Sequence, residues 1–327
     1  MEIAKIAESI LLSACEKKVS DIFIVPYSNT YQLNFRLMSG ISKFKEISLE
    51  TGKELLNFFK FHSEMDIAEH RRPQVGSWIK KVGKQEIFLR FSSIGNFTDQ
   101  ESMVIRLIYP RHENNYFYSD QLEEMVKLAA LRGMIITSGP TGSGKTSTMY
   151  EIARRLGKEK MVMTIEDPVE IWHPSFLQTQ VNSAAGIFYP DLLKAALRHR
   201  PDILIIGEIR DKETARIAVN AALSGHLVLA TVHAKSTFQT IARLKGLGIS
   251  KPELENSLTA VSYQRLFPNR QGKLSCLIDI ASQEELAISI LESKDRQIQF
   301  NQWEKNLMNL RKRGEIDERT FSAFKNG

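Results

Sequence analysis

The stretch GPTGSGKT at residues 139–146 fits the pattern of a phosphate-binding loop, G-x-x-x-x-G-K followed by Ser or Thr. An apolar segment typical of a buried strand precedes it at 134–137, and apolar residues recur at helical spacing from 149 to 156. Because both contexts are present, we expect backbone N–H groups and a helix N-terminus to bind phosphate here. The expected nucleotide-binding residues are Gly139, Pro140, Thr141, Gly142, Ser143, Gly144, Lys145, Thr146 and Ser147.

Two residues of this loop have further expected roles. Lys145 is expected to reach the β and γ phosphates of ATP, and Thr146 to supply a hydroxyl ligand to Mg²⁺. The loop therefore predicts nucleotide binding, but it does not reveal what work the nucleotide drives.

Polar residues follow three further short apolar runs. Glu166, Glu208 and His233 each stand within two residues of the end of such a run. Ligands of open α/β sheets lie at the carboxyl ends of the strands, so each of these residues can face the γ phosphate. Glu166 and Glu208 can divide two roles, orienting the attacking water and holding Mg²⁺. A structural role stays open for all three, as does a solvated loop or helix cap for Asp167 and Glu170.

The order of the elements predicts two domains and an α/β fold class. Mixed helix and strand signals over 1–108 indicate a small α+β domain. The stretch YPRHENNYFYSD at 109–120 has a proline, polar residues and no periodicity, as linkers do. Beyond it, short apolar strands alternate with helices, which predicts a mostly parallel sheet covered on both faces. We place the domains at 1–112 and 113–327.

The composition excludes several classes of protein. The chain has 327 residues, of which 43% are hydrophobic and 25% charged, as in ordinary globular proteins. Cys15 and Cys276 are its two cysteines, too few for a zinc ribbon or a disulfide framework, so no zinc is expected. No apolar run approaches the roughly 18 residues of a membrane span. A net charge of +6 permits contact with nucleic acid or an anionic membrane but proves neither.

Four segments in this order resemble the secretion and type IV pilus assembly ATPases, a branch of the RecA-like hexameric motors. Weaker similarity in SDIFIVP (20–26), EHRRPQVG (69–76) and QRLFP (264–268) extends the resemblance over nearly the whole chain. The four segments are GPTGSGKTSTMY (139–150), TIEDPVE (164–170), LRHRPDILIIGEIRDKETA (197–215) and SGHLVLATVHAKS (224–236).

The resemblance implies a RecA-like ATPase domain preceded by a PAS-like domain that moves against it as nucleotide turns over. It also implies that Glu166 is the catalytic carboxylate, that Glu208 ends the Walker B strand near Mg²⁺, and that His233 senses the nucleotide state. Arginines of the first domain approach the phosphates in this family, and Arg90 and Arg106 match best.

Arg210 is expected at the same site or at a neighbouring subunit. For Arg90, Arg106 and Arg210 alike, an ordinary salt bridge stays open as the alternative.

The resemblance further implies a homo-hexamer at the inner face of the cell membrane. We expect a cytoplasmic, peripheral protein that acts on a polytopic membrane platform protein and uses ATP and Mg²⁺ without contacting nucleic acid. The short, zinc-free chain looks like the ATPases that assemble the competence pilus of Gram-positive bacteria for DNA uptake. Pilus retraction ATPases are the nearest alternative, and a RecA-like nucleic-acid translocase or a nucleotide-gated scaffold are others.

Overall fold

The computed structural model describes residues 2–37, 40–83, 85–109, 115–182, 185–292 and 299–327. The chain divides into two compact units, Met1–Arg111 and His112–Gly327. The domain boundary expected between residues 112 and 113 lies outside the described residues.

The first unit combines two helices with an antiparallel sheet of six strands, in the order β3-β2-β1-β6-β5-β4. Apolar residues of α1 and α2 pack on the strand residues that point to one face of the sheet and form one core with them. The elements are α1 (Glu2–Glu16), β1 (Asp21–Tyr27), β2 (Thr30–Leu37), β3 (Gly40–Ser48), α2 (Leu49–His62), β4 (Gln74–Val82), β5 (Gln85–Gly95) and β6 (Glu101–Ile108).

The second unit is built on a sheet of seven strands, in the order β13-β12-β7-β11-β10-β8-β9. All neighbours in it are parallel except β12 and β13, so the mostly parallel sheet predicted from the sequence is confirmed. Its strands are β7 (Gly133–Ser138), β8 (Val162–Glu166), β9 (Leu177–Gln180), β10 (Ile203–Ile206), β11 (Leu227–Val232), β12 (Leu258–Pro268) and β13 (Leu274–Ser282).

Helices cover this sheet, and its buried side chains form two main cores. A further cluster packs the last two helices on the β12–β13 hairpin. The helices are α3 (Ser119–Ala130), α4 (Lys145–Leu156), α5 (Tyr189–His199), α6 (Lys212–Leu223), α7 (Gln239–Gly246), α8 (Lys251–Ser257), α9 (Gln283–Glu292), α10 (Trp303–Lys312) and α11 (Glu318–Phe324).

The register of the parallel strands brings their carboxyl ends to one edge. Ser138 at the end of β7 pairs with Val232 at the end of β11. Ile206 at the end of β10 pairs with Ile165 on β8. The residues that follow these strands therefore leave the sheet at the same edge, next to the start of α4.

A buried carboxylate attaches the C-terminal helices to the loop that follows β11. Asp279 on β13 is 1% exposed and accepts hydrogen bonds from the Thr237 hydroxyl and from the backbone N–H groups of Asn301 (2.7 Å) and Gln302 (2.6 Å). Burial raises the pKa of this carboxyl, while the hydrogen bonds favour its charged form.

Candidate functional site

The loop between β7 and α4 is shaped by glycines with positive φ angles. Gly139 (φ +138°), Gly142 (φ +78°) and Gly144 (φ +86°) adopt backbone conformations that residues with a Cβ rarely take. A Cβ at Gly139 would lie 2.4 Å from the carbonyl oxygen of Gln264, so glycine is required there for close packing as well. The loop thus passes tightly over β12 and delivers the chain to the N-terminus of α4.

Lys145, the first residue of α4, folds back over the loop. Its Nζ donates to the carbonyl oxygens of Gly139 (2.8 Å) and Pro140 (2.9 Å). Burial lowers the pKa of this ammonium, and the nearby carboxylates of Glu208 and Glu170 oppose the shift. Because carbonyl dipoles are its hydrogen-bond acceptors here, the ammonium can exchange them for phosphate oxygens.

Thr146 and Glu170 meet beside the lysine. The Thr146 hydroxyl donates to Glu170 Oε2 at 2.8 Å. Glu170 follows β8 by four residues and is exposed, and the sequence left its role open. The structure brings it to the phosphate loop.

Glu208 connects the ends of β10 and β11. Its Oε2 accepts from Arg210 Nε at 2.7 Å, and its Oε1 lies 3.1 Å from His233 Nε2. Arg210 also lies 3.9 Å from Asp167 Oδ2, on the loop after β8. The structure thus brings together Glu208, Arg210 and His233, which the sequence had singled out separately.

Glu170 on the loop after β8 is exposed, whereas Glu166, the last residue of β8, is buried. Glu166 is 2% exposed, and its Oε1 accepts from the Tyr150 hydroxyl and from Thr164 Oγ1 (2.7 Å). Burial raises the pKa of the Glu166 carboxyl, while these hydrogen bonds lower it. A carboxylate with a raised pKa at a strand end is suited to accept a proton from water. Its catalytic role stays a prediction.

Gln264 belongs to the site although no motif read from the sequence assigned it a role. It is fully buried on β12 beneath the loop, and its Nε2 donates to the backbone carbonyl of Ser143 at 2.8 Å. Among the described residues, Gln264 Oε1 and Ser143 Oγ have no hydrogen-bond partner. Buried polar atoms of this kind are usually satisfied by a ligand or water.

Arg90 and Arg106 lie in the first unit, directly opposite each other on β5 and β6. Arg106 Nε donates to Asp21 Oδ1 at 2.8 Å. Asp21 on β1 is buried and also lies 3.8 Å from Arg36. The cluster around Lys145 is built from the second unit, and the expected approach of Arg90 and Arg106 to phosphates stays a prediction.

The residues around the loop fit a nucleotide with Mg²⁺. The glycine-shaped loop, the N-terminus of α4 and Lys145 provide the positive potential that phosphates need. Thr146, Glu170 and Glu208 provide oxygen donors, which Mg²⁺ prefers. Gly142 has no atom within 4 Å of the position of a Cβ, so the surface of the loop is open there.

Two kinds of feature are absent from the described part of the chain. No group of three or more His, Cys, Asp or Glu side chains there has the arrangement to hold a metal ion by itself. None of the helices in the described ranges combines the length and apolarity that crossing a membrane requires.

Comparison with known proteins gives a family match over most of the chain. Residues 1–304 match the model of a family described as Type II/IV secretion system protein. The chain is 42% identical over 264 residues to the competence protein ComGA of Streptococcus pneumoniae, covering 81% of this chain and 84% of that protein. It is 40% identical over 274 residues to ComGA of Bacillus subtilis, covering 81% and 76%.

Two solved structures share the fold. The pilus retraction motor PilT with bound ADP superposes with a TM-score of 0.76 at 23% identity, covering 97% of this chain and 96% of that one. The ATPase DotB of Legionella pneumophila gives a TM-score of 0.67 at 20% identity, covering 96% and 93%. The comparison supports the mixed α/β fold class, whereas the PAS-like nature of the first unit stays a prediction.

Proposed function

The chain belongs to the Type II/IV secretion system protein family and is an ATPase of the secretion and pilus type, and we propose that it drives assembly of a competence pilus. The ATP-hydrolysing part of this proposal is supported most by one observation. Lys145, Thr146, Glu170 and Glu208 meet at one edge of the sheet. The competence role is supported by the similarity to two ComGA proteins, each matched over more than two thirds of its length.

The first chemical step that we propose is exchange of partners at the phosphate loop. ATP phosphates replace the carbonyl oxygens of Gly139 and Pro140 as acceptors for Lys145. The exchange places the ammonium against anionic oxygens, which strengthens its hydrogen bonds and favours its charged form. Gln264 holds the backbone of the loop in place through Ser143 while this happens.

Hydrolysis then depends on carboxylates at the sheet edge. Glu166 orients the attacking water and accepts its proton, a role that suits a buried carboxyl with a raised pKa. Thr146 and Glu208 would hold Mg²⁺, which neutralises the negative charge that develops on the phosphates. His233 and Arg210 fix the Glu208 carboxylate from both of its oxygens.

The mechanical part of the proposal concerns assembly and partners. We propose a homo-hexamer that is peripheral to the inner face of the cell membrane and acts on a polytopic platform protein. Closure of a PAS-like first unit against the second unit, with Arg90 and Arg106 reaching the phosphates, would convert hydrolysis into movement.

The test is the Glu166→Gln variant, which keeps the size of the side chain and removes its basicity. We expect purified E166Q protein to bind ATP as the wild type does and to lose magnesium-dependent turnover. Asp167→Asn, at the next residue, is the matched control, because that side chain is exposed and the variant should retain most turnover. Normal turnover by E166Q would refute the assigned role of Glu166.

Cells that carry E166Q test the direction of the motor. Loss of pili supports assembly, whereas an excess of pili that do not retract would identify a retraction ATPase. Normal pilus assembly without turnover would favour a nucleotide-gated scaffold. Turnover that DNA stimulates and that falls steeply with salt would favour a nucleic-acid translocase.

A further inference from the structure

A chain of hydrogen bonds, whose members have no role in the chemistry above, ends on Glu166. The Tyr150 hydroxyl and Thr164 Oγ1 both donate to Glu166 Oε1. Gln178 Nε2 in turn lies 2.6 Å from the Tyr150 oxygen and donates to it. The chain joins β9, α4 and β8.

The direction of each hydrogen bond follows from the partners of Gln178. Its Oε1 accepts from the backbone N–H of His173 at 2.8 Å, and its Nε2 also donates to the carbonyl oxygen of Ile171 at 2.7 Å. A backbone N–H can only donate and a carbonyl can only accept, so the orientation of the Gln178 amide is fixed. The Tyr150 oxygen therefore accepts from Gln178, and its single proton points to Glu166.

The depth of the site makes these donors important. Tyr150 and Thr164 are buried together with Glu166, so water contributes little to solvating the carboxylate. A carboxylate removed from water stays charged only where hydrogen bonds replace its hydration. Burial also raises the pKa of the Tyr150 hydroxyl, which keeps it a donor over the working pH range.

We propose that Tyr150 is a positioning residue for Glu166. The Tyr150 hydroxyl fixes the orientation of the Glu166 carboxylate relative to α4, the helix that begins at Lys145. The inference rests on the proposed function, in which Glu166 acts on the attacking water. Lys145 and Thr146 form hydrogen bonds to the phosphate loop and to Glu170, not to Tyr150. Phosphate binding therefore does not depend on the Tyr150 hydroxyl.

The proposal predicts a separation of turnover from binding. In Tyr150→Phe the ring stays in place, and the carboxylate loses a donor and part of its fixed direction. We expect kcat for ATP to fall about tenfold or more, as for loss of one hydrogen bond to a charged group, while the Kd for ADP stays within about twofold of the wild type. A merely structural role would lower stability and change both quantities or neither.

Tyr116→Phe is the matched control. The Tyr116 hydroxyl lies 3.3 Å from Thr148 Oγ1, so it contacts the same helix α4 from a half-buried position without reaching Glu166. We expect Y116F to retain the kcat and nucleotide affinity of the wild type. Thermal unfolding of both variants checks that the fold is preserved.

Gln178→Leu provides a second test that leaves the Tyr150 hydroxyl in place. Without the amide donor the Tyr150 oxygen is held less firmly while its proton keeps Glu166 as acceptor, so we expect a smaller fall in kcat and an unchanged Kd. An unchanged kcat in Y150F and Q178L, or equal falls in Y150F and Y116F, would overturn the proposal. So would a Kd that rises in parallel with the loss of turnover.

The E166Q variant separates failure of this inference from failure of the proposed function. If E166Q is inactive and Y150F turns over normally, Tyr150 does not position Glu166 and the assigned role of Glu166 stands. If E166Q turns over normally, the role of Glu166 fails and the inference about Tyr150 fails with it.

Discussion

Two alanine substitutions in the phosphate loop test how tightly the loop is packed on β12. Gly139 and Gly142 both have positive φ angles, so alanine is strained at either position. A Cβ at 139 would lie 2.4 Å from the carbonyl oxygen of Gln264 and 2.8 Å from Ser143 Oγ, whereas a Cβ at 142 would meet nothing within 4 Å. Both substitutions carry backbone strain, which at φ +138° is at least as large as at φ +78°, and Gly139→Ala adds the collision.

The magnitudes follow from these two effects. A positive φ at a residue with a Cβ costs about 1–2 kcal/mol, which is the whole expected loss for Gly142→Ala. Forcing a methyl group against well-packed atoms adds about 1–3 kcal/mol in Gly139→Ala. The Gln264 oxygen belongs to the backbone of a strand between two neighbours, so it cannot move aside cheaply.

The assay is equilibrium unfolding of the nucleotide-free protein in urea. ADP stabilises the unit that binds it, so the transition that ADP shifts is the one to compare between variants. We expect Gly139→Ala to lower the free energy of unfolding of that transition more than Gly142→Ala does. Equal losses, or a larger loss for Gly142→Ala, would refute the packing of Gly139 against Gln264.

Two further predictions concern the first unit. Lys60 is fully buried and its Nζ donates to Glu101 Oε2 at 3.1 Å, so Lys60→Met should destabilise this unit by about 3–5 kcal/mol in thermal or urea unfolding. A double variant that also replaces Glu101 by Met should recover most of the loss, and no recovery would contradict a buried ion pair. The pKa of His62, which stacks on Trp78 at 4.4 Å, is lowered by burial and by Lys80, so the folded state binds fewer protons than the unfolded state near its usual pKa. Stability should therefore fall as the pH drops through about 6.5, and urea unfolding should show a smaller fall for His62→Phe, which keeps the stacked ring.

The phosphate loop could be predicted because its signal is local. The glycines, Lys145 and Thr146 stand within one continuous stretch, and the flanking strand and helix have clear periodicities. Glu208 and His233 were found by the rule that ligands bind at the carboxyl ends of parallel strands. Their contact at 3.1 Å depends on the pairing of β10 with β11, which the rule implies only in outline.

Both edge strands of the first sheet have weak sequence signals. β3 and β4 lie at opposite ends of the strand order. Most residues of β3 are exposed, and β4 alternates between exposed and half-buried positions. A strand that buries little has no need of regularly spaced apolar residues, so its sequence carries a weak signal.

Gln264 and Tyr150 could not be assigned to the site from the sequence for a different reason. Gln264 reaches Ser143 from 121 positions further along the chain, and a lone glutamine in a strand gives no indication of its partner. Tyr150 stands on a helix face that periodicity assigns to the core. Its contact with Glu166 depends on how α4 packs against β8 and β9, which only the three-dimensional structure reveals.

Asp279 connects the segment before α10 to the sheet that carries the phosphate loop. The family match stops at residue 304, in the first turn of α10, yet Asn301 and Gln302 donate to a carboxylate that is sealed inside the protein. A chain cut before Asn301 would remove two hydrogen-bond donors from this buried carboxylate. Of the three donors named above, the Thr237 hydroxyl, four residues after His233, would be left. The segment that leads into α10 and α11 thus helps to hold the loop that follows β11 in place. A fusion partner is better attached after these two helices than in place of them.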